Sequence, residues 1–327
     1  MRKLATIRRV NNIQPIPNAD NIEVVSVDGW NVVCKKGDHH VGELVLYLEV
    51  DSWVPHEMAP FLSRGKEPRE FNGVKGERLR TIKLKGQLSQ GLILPIPWFD
   101  TNDRYEGEDV TEKLGIQLWE KPLPAQLKGE AKGYFPEFIQ KTDQERIQNI
   151  TLTDSTWEIT EKLDGSSMTV YLKDGVFGVC SRNIDLKETE DNAFWKTARQ
   201  YNLEEKMRGF NDNFALQGEL VGPGIQGNPY QLNELRFYVF DLYDIQFQVY
   251  LKPNLVVAVC HAMDIPHVPI YGFNVPTPPS REEALRIADG TSELNPKVAR
   301  EGLVFKDMTT EQSFKVISNA WLLKEKE

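Results

Sequence analysis

The sequence predicts an α+β protein with two domains, a small β-barrel followed by antiparallel sheets flanked by helices. Three observations support this prediction. The chain has 327 residues, which is long for one hydrophobic core and ample for two. Roughly the first 100 residues alternate β-rich runs with turn signals, whereas the second half mixes strand-like and helix-like runs. Residues 107–138 are rich in proline and glycine, so we expect a barrel over residues 1–120, a linker over 121–140 and a second domain over 141–327.

The composition is that of an ordinary globular protein and excludes a helical membrane protein. Hydrophobic residues make up 40% of the chain and charged residues 27%, and no stretch approaches the roughly 20 apolar residues of a membrane span. No apolar segment follows the basic residues Arg2 and Lys3, so a cytoplasmic location is the default expectation. Cys34, Cys180 and Cys260 are far apart and odd in number, which favours reduced thiols over disulfides or a zinc site.

The predicted barrel begins with strands over residues 23–27, 30–34 and 43–50, separated by turn signals such as Asp28-Gly29. Residues 13–22, with the sequence Ile-Gln-Pro-Ile-Pro-Asn-Ala-Asp-Asn-Ile, resemble the opening of an OB domain of the tRNA-binding type. Residues 84–92, with the sequence Leu-Lys-Gly-Gln-Leu-Ser-Gln-Gly-Leu, resemble a later strand pair of that domain. The resemblance covers about residues 1–100, and it implies a barrel that presents a basic face to nucleic acid.

A net charge of −9 argues against binding of nucleic acid through overall attraction, so a local patch has to supply the positive charge. Cationic side chains are concentrated between residues 64 and 85, where they outnumber the glutamates. We call this group the basic island, and its members are Arg64, Lys66, Arg69, Lys75, Arg78, Arg80, Lys83 and Lys85. A solvated loop and strand face is the alternative interpretation. The OB resemblance favours nucleic-acid contacts by Arg78, Arg80, Lys83 and Lys85.

The end of the linker carries a signal for a short helix. Thr142 is followed three residues later by Glu145, which matches a capping box and predicts a helix over residues 141–149. An ordinary surface helix is the simplest interpretation of this segment. Lys141 and Arg146 would both lie on it.

The second domain is predicted to alternate strands with a few helices. The predicted strands cover residues 157–162, 168–172, 176–181, 235–243, 256–260 and 303–306, and the predicted helices cover residues 194–208 and 281–288. Asp174-Gly175 lies between two of the strands and is a strong signal for a two-residue hairpin turn. This mixture of elements is typical of an α+β domain.

The sequence Lys162-Leu163-Asp164-Gly165 lies where a predicted strand meets a turn. Strand alternation places Lys162 on the same face as Glu158, away from the apolar side. A lysine acts as a nucleophile only when it is neutral, so such a site needs desolvation or nearby positive charge. Asp164 could hold a metal ion, and Gly165 lets the backbone approach a phosphate. Alone, these residues are compatible with chance.

Five further segments follow in a fixed order, and they make the lysine motif specific. They are Ser181-Arg182-Asn183, residues 216–224 with Glu219, residues 237–241 beginning at Phe237, residues 301–306 from Glu301 to Lys306, and residues 314–318 with Lys315. Together with Lys162 they resemble nucleotidyltransferase motifs I, Ia, III, IIIa, IV and V of ATP-dependent ligases and mRNA capping enzymes. The resemblance implies a nucleotidyltransferase domain over about half of the chain.

The family's chemistry can be carried onto these positions. The resemblance implies that Lys162 attacks the α-phosphorus of ATP and forms a lysine–AMP adduct. It implies that Asp164, Glu219 and Glu301 serve Mg²⁺ or Mn²⁺, with a ribose hydroxyl as the alternative partner of Glu219.

The remaining motif residues would bind the nucleotide. The resemblance implies that Glu161 meets the adenine edge, Phe237 stacks on adenine and Arg182 binds phosphate. Lys306 and Lys315 would neutralise charge on the α-phosphate. Core packing is an equally good interpretation of Phe237.

Motif V departs from the family pattern. Many ligases carry a second lysine two residues after the first, whereas Ile317 occupies that position after Lys315. The candidates for the missing charge are Lys306, or Lys141 and Arg146 from the predicted linker helix. The last two would hold the β- and γ-phosphates.

The domain order narrows the family. DNA ligases and capping enzymes place an OB domain after motif V, whereas here it comes first. This order resembles a nick-sealing branch of ATP-dependent RNA ligases, which implies RNA as the substrate and a monomer as the family default. The alternatives are a DNA ligase, a capping-type nucleotidyltransferase, or a non-catalytic RNA-binding protein with a tRNA-binding-type OB domain.

Overall fold

A computed structural model describes residues 3–96, 104–119 and 130–324 of the chain. The chain divides into two compact units, Met1–Pro122 and Leu123–Glu327. Among the helices in the described ranges, none has the length and apolar character needed to cross a membrane.

Unit 1 is built from short antiparallel strands. They are β1 (Ala5–Arg9), β2 (Asn12–Pro15), β3 (Ile22–Val27), β4 (Trp30–Lys35), β5 (Leu44–Leu48), β6 (Ser52–Pro55), β7 (Arg69–Phe71), β8 (Val74–Arg78), β9 (Thr81–Leu84), β10 (Gln87–Gln90), β11 (Leu92–Leu94) and β12 (Gln117–Leu118). They pair in the orders β1-β5-β11, β2-β3-β4, β12-β6-β8-β7 and β10-β9. A single 3₁₀ turn, Pro60–Ser63, lies between β6 and β7 in the described part of this unit.

Alternation and turn chemistry explain the strands of unit 1. Asp28 and Gly29 both have positive φ, at 43° and 80°, so they form the turn that matches the twist of the β3–β4 hairpin. Inward side chains such as Val25, Trp30 and Tyr47 pack into one apolar cluster. The strands predicted over residues 23–27, 30–34 and 43–50 are confirmed, with ends that differ by one or two residues.

Unit 2 contains two larger sheets and most of the helices. Its strands are β13 (Ala131–Tyr134), β14 (Glu145–Arg146), β15 (Thr156–Lys162), β16 (Ser166–Lys173), β17 (Val176–Ser181), β18 (Ile184–Leu186), β19 (Phe214–Val221), β20 (Arg236–Asp244), β21 (Val249–Tyr250), β22 (Ile270–Pro276), β23 (Gly302–Asp307) and β24 (Ser313–Ile317). Its helices are α1 (Ala193–Gln200), α2 (Leu203–Phe210), α3 (Pro253–Ala262), α4 (Arg281–Ala288) and α5 (Asn319–Lys324). The larger sheet has the order β13-β18-β17-β16-β19-β20-β21, and the smaller has the order β14-β24-β23-β15-β22.

The α+β prediction is confirmed, and pairing within the two sheets is antiparallel except between β14 and β24. The hairpin turn predicted at Asp174-Gly175 forms between β16 and β17, with φ of 49° and 75°. The helix predicted over residues 281–288 is confirmed as α4, whose N-cap Ser280 accepts a hydrogen bond from the Glu283 N–H.

The helix predicted over residues 194–208 is two helices, α1 and α2. Asn202, the N-cap of α2, has the left-handed backbone conformation with φ of 51°, which interrupts helical geometry. The N-terminus of α1 is capped by Asn192, whose side chain accepts from the backbone N–H groups of Phe194 and Trp195. The apolar residues of both helices still pack on one face of the larger sheet.

The strand predicted over residues 256–260 is wrong, because the segment forms helix α3. Pro253 lies in the first turn of α3, where its missing N–H has no helical partner to lose. Val256, Val259 and Cys260 are buried at spacings of three and four residues, which is the helical period. A short apolar run looks the same in a buried strand and a buried helix, and here tertiary packing selected the helix.

The helix predicted over residues 141–149 is also wrong. Thr142 donates through its hydroxyl to the Gln217 side chain at 2.7 Å and does not cap a helix. The chain then forms β14, which pairs in parallel with β24, and a 3₁₀ turn at Ile147–Asn149. Ile147 is fully buried in the core of the smaller sheet, so the segment packs against that sheet and does not form a surface helix.

The predicted linker over residues 121–140 lies partly outside the described residues. Its later part is not a linker, because β13 pairs with β18 at the edge of the larger sheet. Phe135 and Ile139 belong to a buried cluster with Tyr171 and Cys180. This segment is therefore part of unit 2.

Each sheet of unit 2 has one continuous apolar face, and in the larger sheet the opposite face mixes polar side chains with smaller apolar clusters. In the larger sheet, Met168, Leu220 and Phe237 lie in the core beneath α1, α2 and α3. In the smaller sheet, Trp157 and Phe305 lie in a second core with α4. Antiparallel partners share a face, so the opposite faces carry the polar side chains described next.

Candidate active site

Lys162 is the last residue of β15 and pairs with Gly302 at the start of β23. Glu158 and Lys162 share a face of this strand, as predicted from alternation. The turn that follows leads directly from the smaller sheet into β16 of the larger one. A Cβ atom at Gly165 would lie 2.4 Å from the Leu220 carbonyl oxygen, so only glycine allows this turn to pack against β19.

Carboxylates surround the Lys162 ammonium group. Its Nζ lies 2.7 Å from Oε1 of Glu301, the residue before β23. Glu219 projects from β19 opposite Ser167, and Glu219 and Asp164 both act electrostatically on the lysine. The structure therefore brings together side chains from three segments that are far apart in the sequence.

These neighbours set the protonation of the site. Burial favours the neutral amine, but the negative charges of Glu301, Glu219 and Asp164 outweigh it and raise the pKa of Lys162. Burial raises the pKa of Glu219 to about 8, against the opposing attraction of Lys162. Lys162 is thus protonated at neutral pH in the protein alone, and it needs compensating positive charge before it can act as a nucleophile.

The donor set suits a hydrated divalent cation. Asp164, Glu219 and Glu301 offer hard carboxylate oxygens, which Mg²⁺ and Mn²⁺ prefer. Within the described ranges, no group of three or more acidic, histidine or cysteine side chains is already arranged as a metal cage. Such sites commonly use one or two carboxylates and take the other ligands from water and phosphate. The residues therefore fit an ion whose remaining ligands come from water and substrate phosphate.

A residue that sequence reasoning missed also contacts this group. The Tyr230 hydroxyl accepts a hydrogen bond from the Asp164 N–H at 2.6 Å. Tyr230 lies in the connection between β19 and β20 and is 3% exposed. No motif includes it, and a tyrosine in a loop gives no sequence signal for such a contact.

Lys315 and Arg146 lie side by side. Residues opposite each other in the β14–β24 pair are Arg146 and Lys315, and Lys315 is also opposite Val304. Because paired residues share a face, both cations lie on the Lys162 side of the smaller sheet. Ile317, at the position of the missing lysine, is buried. The second cation next to Lys315 therefore comes from a different strand.

Lys141 and Arg182 lie at the edge of the same region. The Lys141 Nζ donates to Oδ1 of Asn183 at 2.8 Å. The neighbouring Arg182 is exposed after β17 and acts electrostatically on Glu219. The structure therefore places both cations near the polar face of the larger sheet.

Lys306 is buried and engaged with groups of the larger sheet. Its Nζ pairs with Oδ1 of Asp241 at 2.6 Å and donates to the Phe240 carbonyl oxygen. Burial raises the pKa of Asp241, while the attraction of Lys306 opposes this shift. The pair joins the polar faces of the two sheets. Because Lys306 is buried and already paired with Asp241, it is a weaker candidate than Lys315 for contacting phosphate.

A polar cavity of about 150 Å³ lies beside these cations. It is lined by residues of the linker end, of β20 and β21, and of the β23–β24 hairpin: Gln140, Lys141, Thr142, Asp143, Gln144, Asp241, Tyr250, Leu251, Lys252, Pro253, Lys306, Asp307, Thr310, Glu311, Gln312 and Ser313. Lys315 approaches its rim, since the Lys315 Nζ is 3.4 Å from Oδ1 of Asp143.

The prediction that Phe237 stacks on adenine is wrong. Phe237 is fully buried on the helix-covered face, in the same core as Leu220. A β-bulge lies between β19 and β20, where Gly218 pairs with Val239 but Gln217 pairs with Asp241. The extra residue is Phe240, which is half-buried.

Phe240 packs against the cluster that contains Leu163, beside Lys162. Its ring centre is 5.6 Å from the Lys306 Nζ. Tyr238, which pairs with Glu219, lies in the same cluster. Tyr238 and Phe240 are therefore the aromatic residues of this motif on the site side of β20, and Phe240 is the more exposed of the two.

Glu161 leaves β15 on the face opposite to Lys162. Its Oε2 accepts from the Glu293 N–H at 3.0 Å and from the Tyr271 hydroxyl at 3.2 Å. Its Oε1 is buried and has no hydrogen-bond partner among the described residues. Burial raises the pKa of this carboxyl. An acceptor held in place but lacking a donor suits a ligand N–H.

Some cations of the basic island in unit 1 are paired with carboxylates, and others face solvent. Arg78 pairs with Asp51 at 2.7 Å, and its guanidinium lies 4.1 Å from the ring centre of Trp119. Lys83 and Lys85 are exposed on the β9–β10 hairpin. The structure therefore distinguishes a packed arginine from two solvent-facing lysines.

The remaining island residues follow the same division. Arg69 pairs with Glu77 at 2.9 Å, and Lys75 pairs with Glu67 at 2.8 Å. Arg80 is half-buried, although it was expected to face nucleic acid. The interpretation as an ordinary solvated surface therefore suits Arg69 and Lys75, which are paired with glutamates, better than it suits the hairpin lysines Lys83 and Lys85.

Comparisons with known proteins agree with both units. The sequence profile of the RNA ligase family matches residues 155–317, and the profile of an OB-fold domain matches residues 4–96. The structure is similar to that of Naegleria gruberi RNA ligase in a variant with AMP and Mn, at 45% identity, a TM-score of 0.92 and 99% coverage of each chain. No curated protein sequence matches the chain.

Other solved forms of the same Naegleria protein are equally similar. A variant with ATP and Mn has a TM-score of 0.91 at 45% identity and 99% coverage of each chain. The form with pyrophosphate has a TM-score of 0.90 at 45% identity and 98% coverage of each chain. Six alanine variants in this series replace, in chain order, two lysines, an aspartate, two glutamates and a third lysine.

Proposed function

The chain belongs to the RNA ligase family, as an ATP-dependent enzyme that joins RNA ends, and we propose that it seals nicks in RNA duplexes through an AMP adduct on Lys162. The observation that carries this proposal is the convergence of Lys162 with Asp164, Glu219 and Glu301. Their types and order match the alanine variants made in the Naegleria protein. Lys315 matches the lysine that ends the series.

The first step is adenylation of Lys162. The neutral Nζ attacks the α-phosphorus of ATP, the N–P bond forms, and the bond to the pyrophosphate oxygen breaks. A bound divalent cation supplies positive charge at the α-phosphate and among the carboxylates. Glu301 and Asp164, whose negative charges hold Lys162 protonated in the protein alone, would then face the cation, so the ammonium can lose its proton.

The nucleotide would lie between the polar faces of the two sheets. Lys315 and Arg146, which are neighbours across β14 and β24, are placed to hold phosphate oxygens. We assign Arg146 the role of the absent second lysine of motif V. Lys141, at the adjacent cavity, is assigned with Arg146 to the β- and γ-phosphates, and Arg182 lies on the Glu219 side.

We assign adenine recognition to two residues, Phe240 and Glu161. Phe240 replaces Phe237 in the stacking role, because it packs beside Leu163 and is half-buried. The unpaired Oε1 of Glu161 suits the exocyclic amine of adenine, which is a donor. Guanine carries a carbonyl oxygen at the corresponding ring position, and two acceptors would repel each other. This arrangement favours ATP over GTP.

Two further transfers complete the reaction. A 5′-phosphate oxygen attacks the phosphorus of the lysine–AMP adduct, the N–P bond breaks, and Lys162 recovers its proton. The RNA then carries a 5′-5′ pyrophosphate link to adenosine. A 3′-hydroxyl attacks the RNA phosphorus of that link, a 3′,5′-phosphodiester forms, and AMP leaves.

Duplex preference is supported by the OB domain ahead of the catalytic domain. Unit 1 offers Lys83 and Lys85 at an exposed hairpin, where they can contact backbone phosphates without reading sequence. A monomer suffices for this proposal, because all the residues assigned to adenylation lie within unit 2.

The test is a panel of nicked duplexes with RNA or DNA on either side of the nick. We expect sealing when the 3′-hydroxyl strand ends in RNA and loss of sealing when it ends in DNA. Equal sealing of the all-DNA nick would replace the proposal with a DNA ligase. Labelling of the protein by GTP in place of ATP would indicate a capping-type enzyme, and nucleic-acid binding without any labelling would indicate a non-catalytic protein.

A further inference from the structure

Tyr230 occupies a fixed position at the edge of the proposed site. Its ring packs with Leu163, Val221, Tyr238 and Val268, so its placement does not depend on solvent-exposed contacts. It is 3% exposed, although it belongs to a connection between strands. A buried tyrosine hydroxyl normally has a specific partner.

The connection that carries Tyr230 is held by its own hydrogen bonds. The Asn228 side chain accepts from the Leu232 N–H at 3.0 Å and donates to the Leu232 carbonyl oxygen at 2.8 Å. The Tyr230 carbonyl oxygen accepts from the Asn295 side chain at 3.2 Å. The ring is thus anchored from the backbone side as well as by packing.

The Tyr230 hydroxyl is directed at the backbone of the lysine motif. It accepts a hydrogen bond from the Asp164 N–H at 2.6 Å. Burial and the charges of Glu301, Asp164 and Glu161 raise the pKa of Tyr230, so the phenol stays neutral. An oxygen that stays neutral adds no further negative charge to a site with three carboxylates.

We propose that Tyr230 is a positioning residue that fixes the backbone of Asp164 and thereby sets the affinity of the site for its divalent cation. The inference rests on the proposed function, which gives Asp164 a role toward the metal ion. The turn from Lys162 to Gly165 has little freedom on its other side, since Gly165 already packs against β19. Tyr230 supplies the second restraint, and together they aim the Asp164 carboxylate.

The physical basis is the effect that hydrogen-bond partners of metal ligands have on metal affinity. Groups that orient a ligand without touching the ion commonly change metal affinity by about 10- to 100-fold when they are removed. Tyr230→Phe removes the oxygen and keeps the ring that packs with Leu163 and Val221. It therefore separates the hydrogen bond from the packing.

Tyr201→Phe is a matched control. The Tyr201 hydroxyl also interacts with a backbone N–H, that of Phe237, but on the helix-covered side of the larger sheet. Each variant removes a phenol oxygen that interacts with a backbone N–H. Only Tyr230→Phe loses it at the lysine motif, so a purely structural effect should appear equally in both.

Metal affinity is measured without turnover in a Lys162→Ala background. Trace labelled ATP is equilibrated with this protein by dialysis while Mn²⁺ is raised from micromolar to millimolar concentrations. We expect Tyr230→Phe to raise the Mn²⁺ concentration for half-maximal ATP retention by about tenfold. Tyr201→Phe should leave it unchanged, and both should lower the melting temperature by a similar small amount.

Adenylation of the catalytically intact protein gives a second readout. Tyr230→Phe should raise the half-saturating Mn²⁺ concentration for autoadenylation while the rate at saturating Mn²⁺ stays within a few-fold of wild type. An unchanged Mn²⁺ requirement, or the same change in Tyr201→Phe, would overturn the role of Tyr230 and leave the ligase proposal intact. Failure of the wild type to accept label from ATP would instead contradict the proposed function itself.

Discussion

At the scale of single residues, the site is a balance of buried charges. The charges of Glu301 and Asp164 hold Lys162 protonated, so the proposed nucleophile is inactive in the protein alone. In our proposal the cation that accompanies ATP binds the same carboxylates, which would couple nucleotide binding to deprotonation of the lysine. Sequence order was enough to predict this group, because each member belongs to a recognisable motif. Tyr230 was missed, because its role depends on where a loop folds back.

Glu158 provides a test of this charge balance that does not require catalysis. It is 1% exposed, and neither carboxylate oxygen has a hydrogen-bond partner among the described residues. Burial raises its pKa to about 7, despite the attraction of Lys306. The folded protein therefore holds this proton at pH values where the unfolded chain has lost it, and stability falls as pH rises from the unfolded pKa to about 7.

We expect Glu158→Gln to remove that part of the pH dependence. Between pH 5 and pH 8 the unfolding free energy of wild type should fall by about 2.5 kcal/mol more than that of the variant, from the size of the pKa shift. Urea unfolding at the two pH values measures this difference. Glu112→Gln, at an exposed position, is the control. A Glu158→Gln protein with the same pH slope as wild type would show that the carboxyl is not the buried acid described here.

At the scale of elements, the two faces of β20 separate stability from nucleotide binding. Phe237 lies on the face covered by helices, whereas Phe240 occupies a bulge beside the site. Alternation alone places residues 237 and 240 on opposite faces, so the error lay in the aromatic residue that the resemblance assigned to adenine. The bulge at Phe240 leaves no mark in the sequence and shifts the alternation only for the residues that follow. The strand error over residues 256–260 has a similar origin, because a short apolar run does not distinguish α3 from a buried strand.

Leucine substitutions on these two faces should behave differently. Phe237→Leu should lower the melting temperature by several degrees and leave the KM for ATP in autoadenylation near its wild-type value. Phe240→Leu should raise the KM for ATP by about tenfold, the loss expected for one stacking contact. Thermal unfolding and autoadenylation at varied ATP measure both effects. The opposite pattern, with ATP binding lost in Phe237→Leu, would restore the original assignment.

At the scale of the whole molecule, adenylation and grip on RNA are assigned to different units. Domain order was the sequence feature that indicated an RNA ligase. The position of the basic island was also readable from sequence, but its division into packed and open cations was not. That division depends on Asp51 and Trp119, which meet Arg78 only in the folded barrel.

Neutralising the open lysines tests this separation. Lys83→Ala with Lys85→Ala should weaken nick sealing at low RNA concentration and reduce the slope of log affinity against log salt by roughly 2. Autoadenylation should be unaffected. Lys35→Ala with Lys36→Ala removes the same charge from an exposed site in unit 1 and should change neither activity. Equal loss of sealing and autoadenylation would show that the hairpin serves folding or ATP binding.

The central claim is that Lys162 becomes covalently linked to AMP. Purified protein is incubated with α-labelled ATP and Mn²⁺, denatured, and examined for retained label, and the labelled peptide is identified by mass spectrometry. The account predicts label on wild type and on Lys173→Ala, a half-buried lysine at the end of β16, but none on Lys162→Ala. An unlabelled wild-type protein, or a Lys162→Ala protein labelled as strongly as wild type, would contradict it.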